Sequence, residues 1–360
     1  MIPPRMGLRA GSGSLADRSG RVAPAIGLFF LAPLVGEYLL GNVSIVEIWA
    51  LPVLALLYGS GAVLIREVAR RTGRGWPTML VLGLAYGLIE AGLIDQTLFK
   101  PPELTTGVVG AATYVPALGI SVSDLLSFVV GHAGWSIGVP IAMVEALVPS
   151  RRTIPWLGRA GLAITGALYL LSAVLVFRFM QQDSGGFLAP APKLAAVAGV
   201  SAALIGLGFA PGRHPRPPVA RPTPRAWLVA AVALAASFLF GWRDETWSGV
   251  AFGVVVAAAT AGLVARWSRR RGWGAAHRLA LAGPALLHQA ATGFLLTQLY
   301  GREGAIHVIA NVVFAVGAVA LLLCGRAGWP RPRSPAASPA APPPSSPRSA
   351  VVGRWLAAAP

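Results

Sequence analysis

Residues 45–74 read IVEIWALPVLALLYGSGAVLI followed by REVARRTGR. The apolar part holds one charged residue, Glu47. As a helix rising about 1.5 Å per residue it covers the roughly 30 Å of a hydrocarbon core. Arg66, Arg70, Arg71 and Arg74 follow at once. Positive residues resist translocation, so an apolar run with an arginine cluster at one end reads as a membrane span whose arginine end is cytoplasmic.

Working outward from this stretch, about ten such runs emerge, at residues 23–40, 45–65, 76–99, 124–148, 156–177, 188–210, 226–241, 247–265, 276–299 and 304–324. Alternate gaps carry Arg5–Arg21, Arg66–Arg74, Arg151–Arg159, Arg213–Arg225, Arg266–Arg278 and a tail from Arg326. The other gaps hold Lys100, Arg178, Lys193, Arg243 and Arg302. Twenty-five of the 30 basic residues fall in the first set and five in the second. The expected architecture is an all-α polytopic helix bundle, multi-pass in the cytoplasmic (inner) membrane, with both termini in the cytoplasm.

Composition agrees. Apolar residues make up 55% of the chain, charged residues 12%, and mean hydropathy is +0.65. The net charge of +17 is what arginine-bearing loops supply and it suits anionic lipid headgroups; nucleic acid is not an expected partner. Cys324 is the only cysteine, which excludes an intrachain disulfide and a thiolate cluster. The first apolar run has a basic flank like a signal peptide. It is long, contains Glu37 and lacks a small-x-small cleavage site, so it is expected to remain as the first span.

Three segments are expected. Residues 1–22 are Gly-, Ser- and Arg-rich and expected to be disordered, 23–325 form the helical domain, and 326–360 are a Pro/Ala/Ser-rich tail unable to bury a core. The basic Pro-rich loop 211–225 divides the spans six and four. The stretch 100–123, nearly free of charge, suits either a re-entrant or a surface-lying lid.

An ionisable side chain at bilayer depth costs about 2.5–3.5 kcal/mol on insertion scales, so each one is a functional candidate. Glu90, His132 and His288 are expected roughly 15 Å below the outer surface, and Glu37, Asp95, His307 and Asn311 nearer the outer face. Glu145 falls at the cytoplasmic end of its span, expected to be solvated or paired with a loop arginine. Glu90 shares a helical face with Gly83, Tyr86 and Gly87, and Gly83-x-x-x-Gly87 is a small-residue packing motif, so the carboxylate should face the bundle interior. The bland reading of a lone intramembrane His or Asn is interhelical glue. A midplane carboxylate is harder to read that way, because it needs a partner or a proton.

The run from APLVGEYLLGN (32–42) through LYGSGAVLIREVARRTGRGWP (57–77) and LAYGLIEAGLIDQTLFKP (84–101) to GHAGWSIGVPIAMVEALVP (131–149) resembles a group of uncharacterised bacterial polytopic membrane proteins. More distantly, the chain resembles the CAAX-protease/bacteriocin-processing intramembrane family. That family carries Glu-Glu-x-x-x-Arg, Phe-x-x-x-His and His-x-x-x-Asn on membrane helices. The second motif matches Phe128-x-x-x-His132 and the third His307-x-x-x-Asn311. The first departs, since Glu90 is followed by Ala91 and Asp95 stands at the arginine position.

Three functions follow as expectations. In an intramembrane hydrolase, Glu90 would be the general base, His132 would orient it, and His307 and Asn311 would complete an oxyanion hole. In a transporter or channel-like protein, Glu37, Glu90, His132 and His288 would bind a proton, ion or substrate. In a scaffold, the same residues would only lock helices. The transporter reading is slightly favoured. No His-Glu-x-x-His motif is present, and neither metal nor cofactor is expected.

Overall fold

The computed structural model describes residues 15–100, 111–211 and 219–327. The expectations for residues 1–14, 101–110, 212–218 and 328–360, including most of the tail, lie outside the described residues.

Helices dominate, and ten apolar ones follow in the expected order. α1 runs from Leu15–Pro33 into a π-helical turn, Leu34–Tyr38, and so begins ahead of the expected start at Ala23. The remaining nine are α2 (Ile45–Arg71), α3 (Trp76–Ile94), α4 (Val122–Leu147), α5 (Arg159–Asp183), α6 (Ala191–Gly208), α7 (Ala226–Gly241), α8 (Trp247–Trp267), α9 (Ala275–Leu299) and α10 (Ala305–Ala327). Eight of these, α2–α6 and α8–α10, are long and apolar enough to cross a membrane; the apolar part of α1 (Val22–Tyr38) and α7 are shorter.

Local chemistry sets the ends. The Ser44 side chain accepts from Val46 N at 3.3 Å and Glu47 reaches back to Ser44 N at 3.0 Å, a reciprocal cap at the start of α2. Ser121 and Thr246 cap α4 and α8 with a single bond each, accepting from Asp124 N and Gly249 N. Pro77 and Pro192 occupy first turns, where their missing N–H costs nothing. Past α3, Asp95 accepts from Thr97 N and Oγ1 at 2.9 and 2.7 Å, and Gln96 is left-handed, with φ 57°. These contacts end α3 at Ile94 rather than Phe99, one turn beyond Glu90.

The bundle is layered about α4, which packs on α1, α2, α3, α8, α9 and α10. Buried side chains from α1–α4, among them Leu28, Leu57, Met79 and Ile141, form one core. Val35, Met143 and Leu286 centre a second between α1, α4 and α9. On the periphery, α5, α8 and α10 expose Leu170, Val174, Phe179, Val255, Val313 and Leu323, an apolar exterior suited to lipid. Lipid tails are as apolar as leucine, so helices associate through close packing and interhelical polar contacts instead. Two short strand pairs complete the described structure: β1 (Tyr114–Val115) with β2 (Ile120–Ser121), antiparallel, and β3 (Val219–Pro222) with β4 (Arg270–Arg271), parallel.

Candidate functional site: a polar cluster built from four π turns

Four π-helical turns occur among the described residues: Leu34–Tyr38 in α1, Ala55–Gly59 in α2, Glu90–Ile94 in α3 and His132–Gly138 in α4. A π turn inserts a residue into the α-helical register, re-aiming side chains and loosening the carbonyl ladder, and such turns gather at functional sites. Here each contributes one polar residue to a single cluster: Glu37, Tyr58, Glu90 and His132.

The contacts are specific. His132 Nε2 lies 3.1 Å from Glu90 Oε2. The Tyr58 hydroxyl donates to Glu90 Oε1 at 3.2 Å and lies 3.3 Å from His132 Nε2. His132 Nδ1 is 2.7 Å from the Phe128 carbonyl, which can only accept, so Nδ1 carries a hydrogen. With Nδ1 protonated, one further proton at Nε2 or Oε2 makes the 3.1 Å contact a hydrogen bond, either as imidazolium facing carboxylate or as neutral imidazole accepting from a carboxylic acid. Glu37, the second carboxylate, accepts from Asn42 Nδ2 at 2.6 Å and is close enough to Tyr58, Glu90 and His132 to be electrostatically coupled to all three.

Aromatic rings wall the pair. Tyr58 stacks on His132 with centroids 5.8 Å apart, and Tyr86 lies 5.9 Å from His132 and 6.2 Å from Tyr169. The buried Tyr86 hydroxyl has no hydrogen-bond partner among the described residues. Glycines permit the approach. A methyl at Gly87 would lie 2.8 Å from His132 Cβ and 3.0 Å from Phe128 O, and one at Gly83 would lie 3.0 Å from Ala133 Cα. The small-residue face of α3 therefore packs directly on the π turn of α4.

From Glu37 the polar contacts continue to one end of the bundle. Asn42 Oδ1 accepts from the Tyr300 hydroxyl at 3.4 Å, and Arg302 donates to the Gly41 and Asn42 carbonyls at 2.6 and 2.8 Å. Toward the arginine-rich end, the layer beyond the cluster is apolar, with Ala62, Val63, Ile137 and Ile141 buried.

The other candidate residues have separate partners. His288 is buried between Trp135 and Phe238, its Nδ1 without a partner among the described residues. His307 Nδ1 is 3.1 Å from Ser44 Oγ. Asn311 donates to Thr297 Oγ1 at 2.9 Å and to Gly293 O at 3.3 Å. The structure thus brings Glu37, Glu90 and His132 together and seats His288, His307 and Asn311 elsewhere. Among the described residues, no group of three or more His, Cys, Asp and Glu side chains is arranged to hold a metal ion.

Two participants escaped sequence reasoning. Tyr58 carries no charge and drew no notice in an apolar run, although its aromatic hydroxyl at bilayer depth was a usable signal. The second omission is a buried ionic knot at the arginine-rich end. The Arg66 guanidinium, fully buried, meets Glu67 at 2.6 Å and Glu145 at 3.3 Å, and Arg70 grips Glu145 at 2.7 Å. Glu67 accepts from Trp156 N and Leu157 N at 2.8 and 3.1 Å, Arg66 donates to the Arg151 and Arg152 carbonyls, and its guanidinium sits 3.4 Å above the Trp156 ring. Glu145 is therefore not solvated but paired, as expected, with arginines of the gap after residue 65. Its arginines lie in the last turns of α2, whose helix continues through the segment read as a loop.

No curated protein and no solved structure matches the chain. A family model matches residues 28–264, a stretch that contains all four members of the π-turn cluster and the ionic knot but not His288, His307 or Asn311. The chain belongs to this family, an uncharacterised membrane protein family.

Proposed function

We propose that this protein is a transporter or channel-like protein of the cytoplasmic membrane that handles a proton, or a small cation in its place, at the Tyr58–Glu90–His132 cluster. The observation that carries the reading is the convergence of four π turns on one carboxylate–imidazole pair, with His132 Nε2 3.1 Å from Glu90 Oε2. Glu37 and Asn42 extend that pair toward the Tyr300 end, taken here as the outer face. The ionic knot and the apolar layer above it close the arginine-rich end, taken as cytoplasmic with both termini, where loop arginines meet anionic lipid headgroups. One-sided polar access to a midplane carboxylate is the arrangement an alternating-access or gated relay requires.

The hydrolase reading, drawn from the likeness to the CAAX-protease/bacteriocin-processing family, needs His307 and Asn311 beside Glu90. Their contacts with Ser44 and Thr297 favour the relay instead. A scaffold needs no shared proton, and Glu90→Gln separates the two. In proteoliposomes carrying an entrapped pH-sensitive dye, an imposed membrane potential should drive acidification with the native chain and not with Glu90→Gln, at equal incorporation. Equal flux through both would overturn the reading.

A further inference from the structure

The ionic knot leaves one arginine unserved. Arg278, in the first turn of α9, has a buried Nη2 with no hydrogen-bond partner among the described residues. The first turn of α9 lies level with the Glu145 turn of α4, since a methyl at Gly325 of α10 would lie 3.5 Å from both Leu279 and Ala146. The charges Arg278 feels most are Arg152, Glu145 and Arg70. Glu145 does not satisfy it. That carboxylate accepts from Arg66 Nε, from Arg70 Nε and twice from Arg70 Nη2, three times at Oε1 and once at Oε2, and it makes no hydrogen bond with Arg278 Nη2.

What remains around Arg278 is positive: two further arginines and the N-terminus of α9, whose first N–H groups have no intrahelical acceptor. A desolvated guanidinium N–H among like charges calls for an anion, and planar forked donors from separate elements suit a phosphate oxyanion. We infer that Arg70, Arg152 and Arg278 form a phosphate-binding site where α2, α4 and α9 meet, occupied by the headgroup phosphate of an anionic lipid or by a free phosphate group. The inference sharpens the headgroup contact proposed above and is independent of the proton relay.

The test compares thermal unfolding of the full-length protein in phosphatidylcholine nanodiscs, alone, with added inorganic phosphate against chloride at matched ionic strength, and with phosphatidylglycerol in the bilayer. The native chain should be stabilised by phosphatidylglycerol, by phosphate, or by both. Stabilisation by phosphatidylglycerol alone identifies a lipid headgroup, whereas stabilisation by dissolved phosphate identifies a free ligand and removes the lipid assignment but not the site. In Arg278→Gln the apparent affinity should fall about tenfold or more, as for loss of a charge-assisted hydrogen bond. The same variant in phosphatidylcholine alone should unfold no lower than the native chain, because it removes a cation from among cations; an arginine with a purely structural role would lower it. Arg152→Gln, outside the helices, should weaken binding in the same direction and serves if Arg278→Gln fails to accumulate. Absence of stabilisation by either anion, or equal stabilisation of the native chain and both variants, would overturn the inference.

Discussion

The Glu90–His132 contact depends on how near α3 comes to α4, and that is decided at Gly87. A methyl there would meet His132 Cβ and the Phe128 carbonyl inside contact distance. Gly87→Ala should therefore push α4 outward and lower stability by about 1–3 kcal/mol, the usual range for overpacking. Gly131→Ala, one residue before His132, has open space at the same substitution and should leave thermal unfolding nearly unchanged. Equal unfolding temperatures for the two variants would contradict this account of the contact. Tyr58→Phe removes the hydroxyl between Glu90 and His132 while keeping the ring stack. It should cost no more than an interhelical hydrogen bond in a membrane, about 0.6–1.7 kcal/mol, and a loss several times larger would mean that the hydroxyl does more than contribute one such bond.

At the scale of elements, α2 serves both layers, carrying Tyr58 in its π turn and Arg66, Glu67 and Arg70 in its last turns. Arg66 joins α2 to α4 through Glu145 and to the turn before α5 through two carbonyls and the Trp156 ring. Removing one partner of a buried pair leaves the other charge uncompensated, at about 3–5 kcal/mol. Arg66→Gln should therefore lower the unfolding temperature far more than Arg71→Gln, whose side chain is part-exposed and 3.7 Å from Glu67; comparable losses would contradict the knot's role. The helices themselves were legible from apolar length and arginine spacing. The π turns were not, because these helices are apolar on nearly every face, so the phase shift of an inserted residue leaves no visible mark on the hydrophobic pattern. The placement of Glu90 and His132 side by side could be expected from glycines and shared depth, and Glu37 was grouped with them as a candidate ion-binding residue, while Tyr58 joining them could not be expected. His288 was chosen on residue type and depth, and His307 and Asn311 on the His-x-x-x-Asn motif as well, and neither depth nor a short motif says which neighbours a helix faces.

For the whole molecule, the arginine partition makes an independent claim about orientation. Reporter fusions at Gly110 and Pro218 should report opposite sides of the membrane, with Pro218 on the cytoplasmic side; the same side for both would refute the ten-span arrangement. The partition was readable because it depends on loop composition and not on tertiary contact. The same logic misassigned Arg66 and Arg70, since an arginine at the end of an apolar run reads as loop whether it is solvated or folded back into a buried pair.

The central claim is that Glu90 and His132 share one proton. Nitrogen-15 NMR of the histidine-labelled protein in bilayers tests it directly, and the chain has five histidines to assign. The account predicts a protonated Nδ1 for His132 and an Nε2 resonance that moves in Glu90→Gln, while His288 and His307 stay in place. An unchanged His132 spectrum in Glu90→Gln would contradict it.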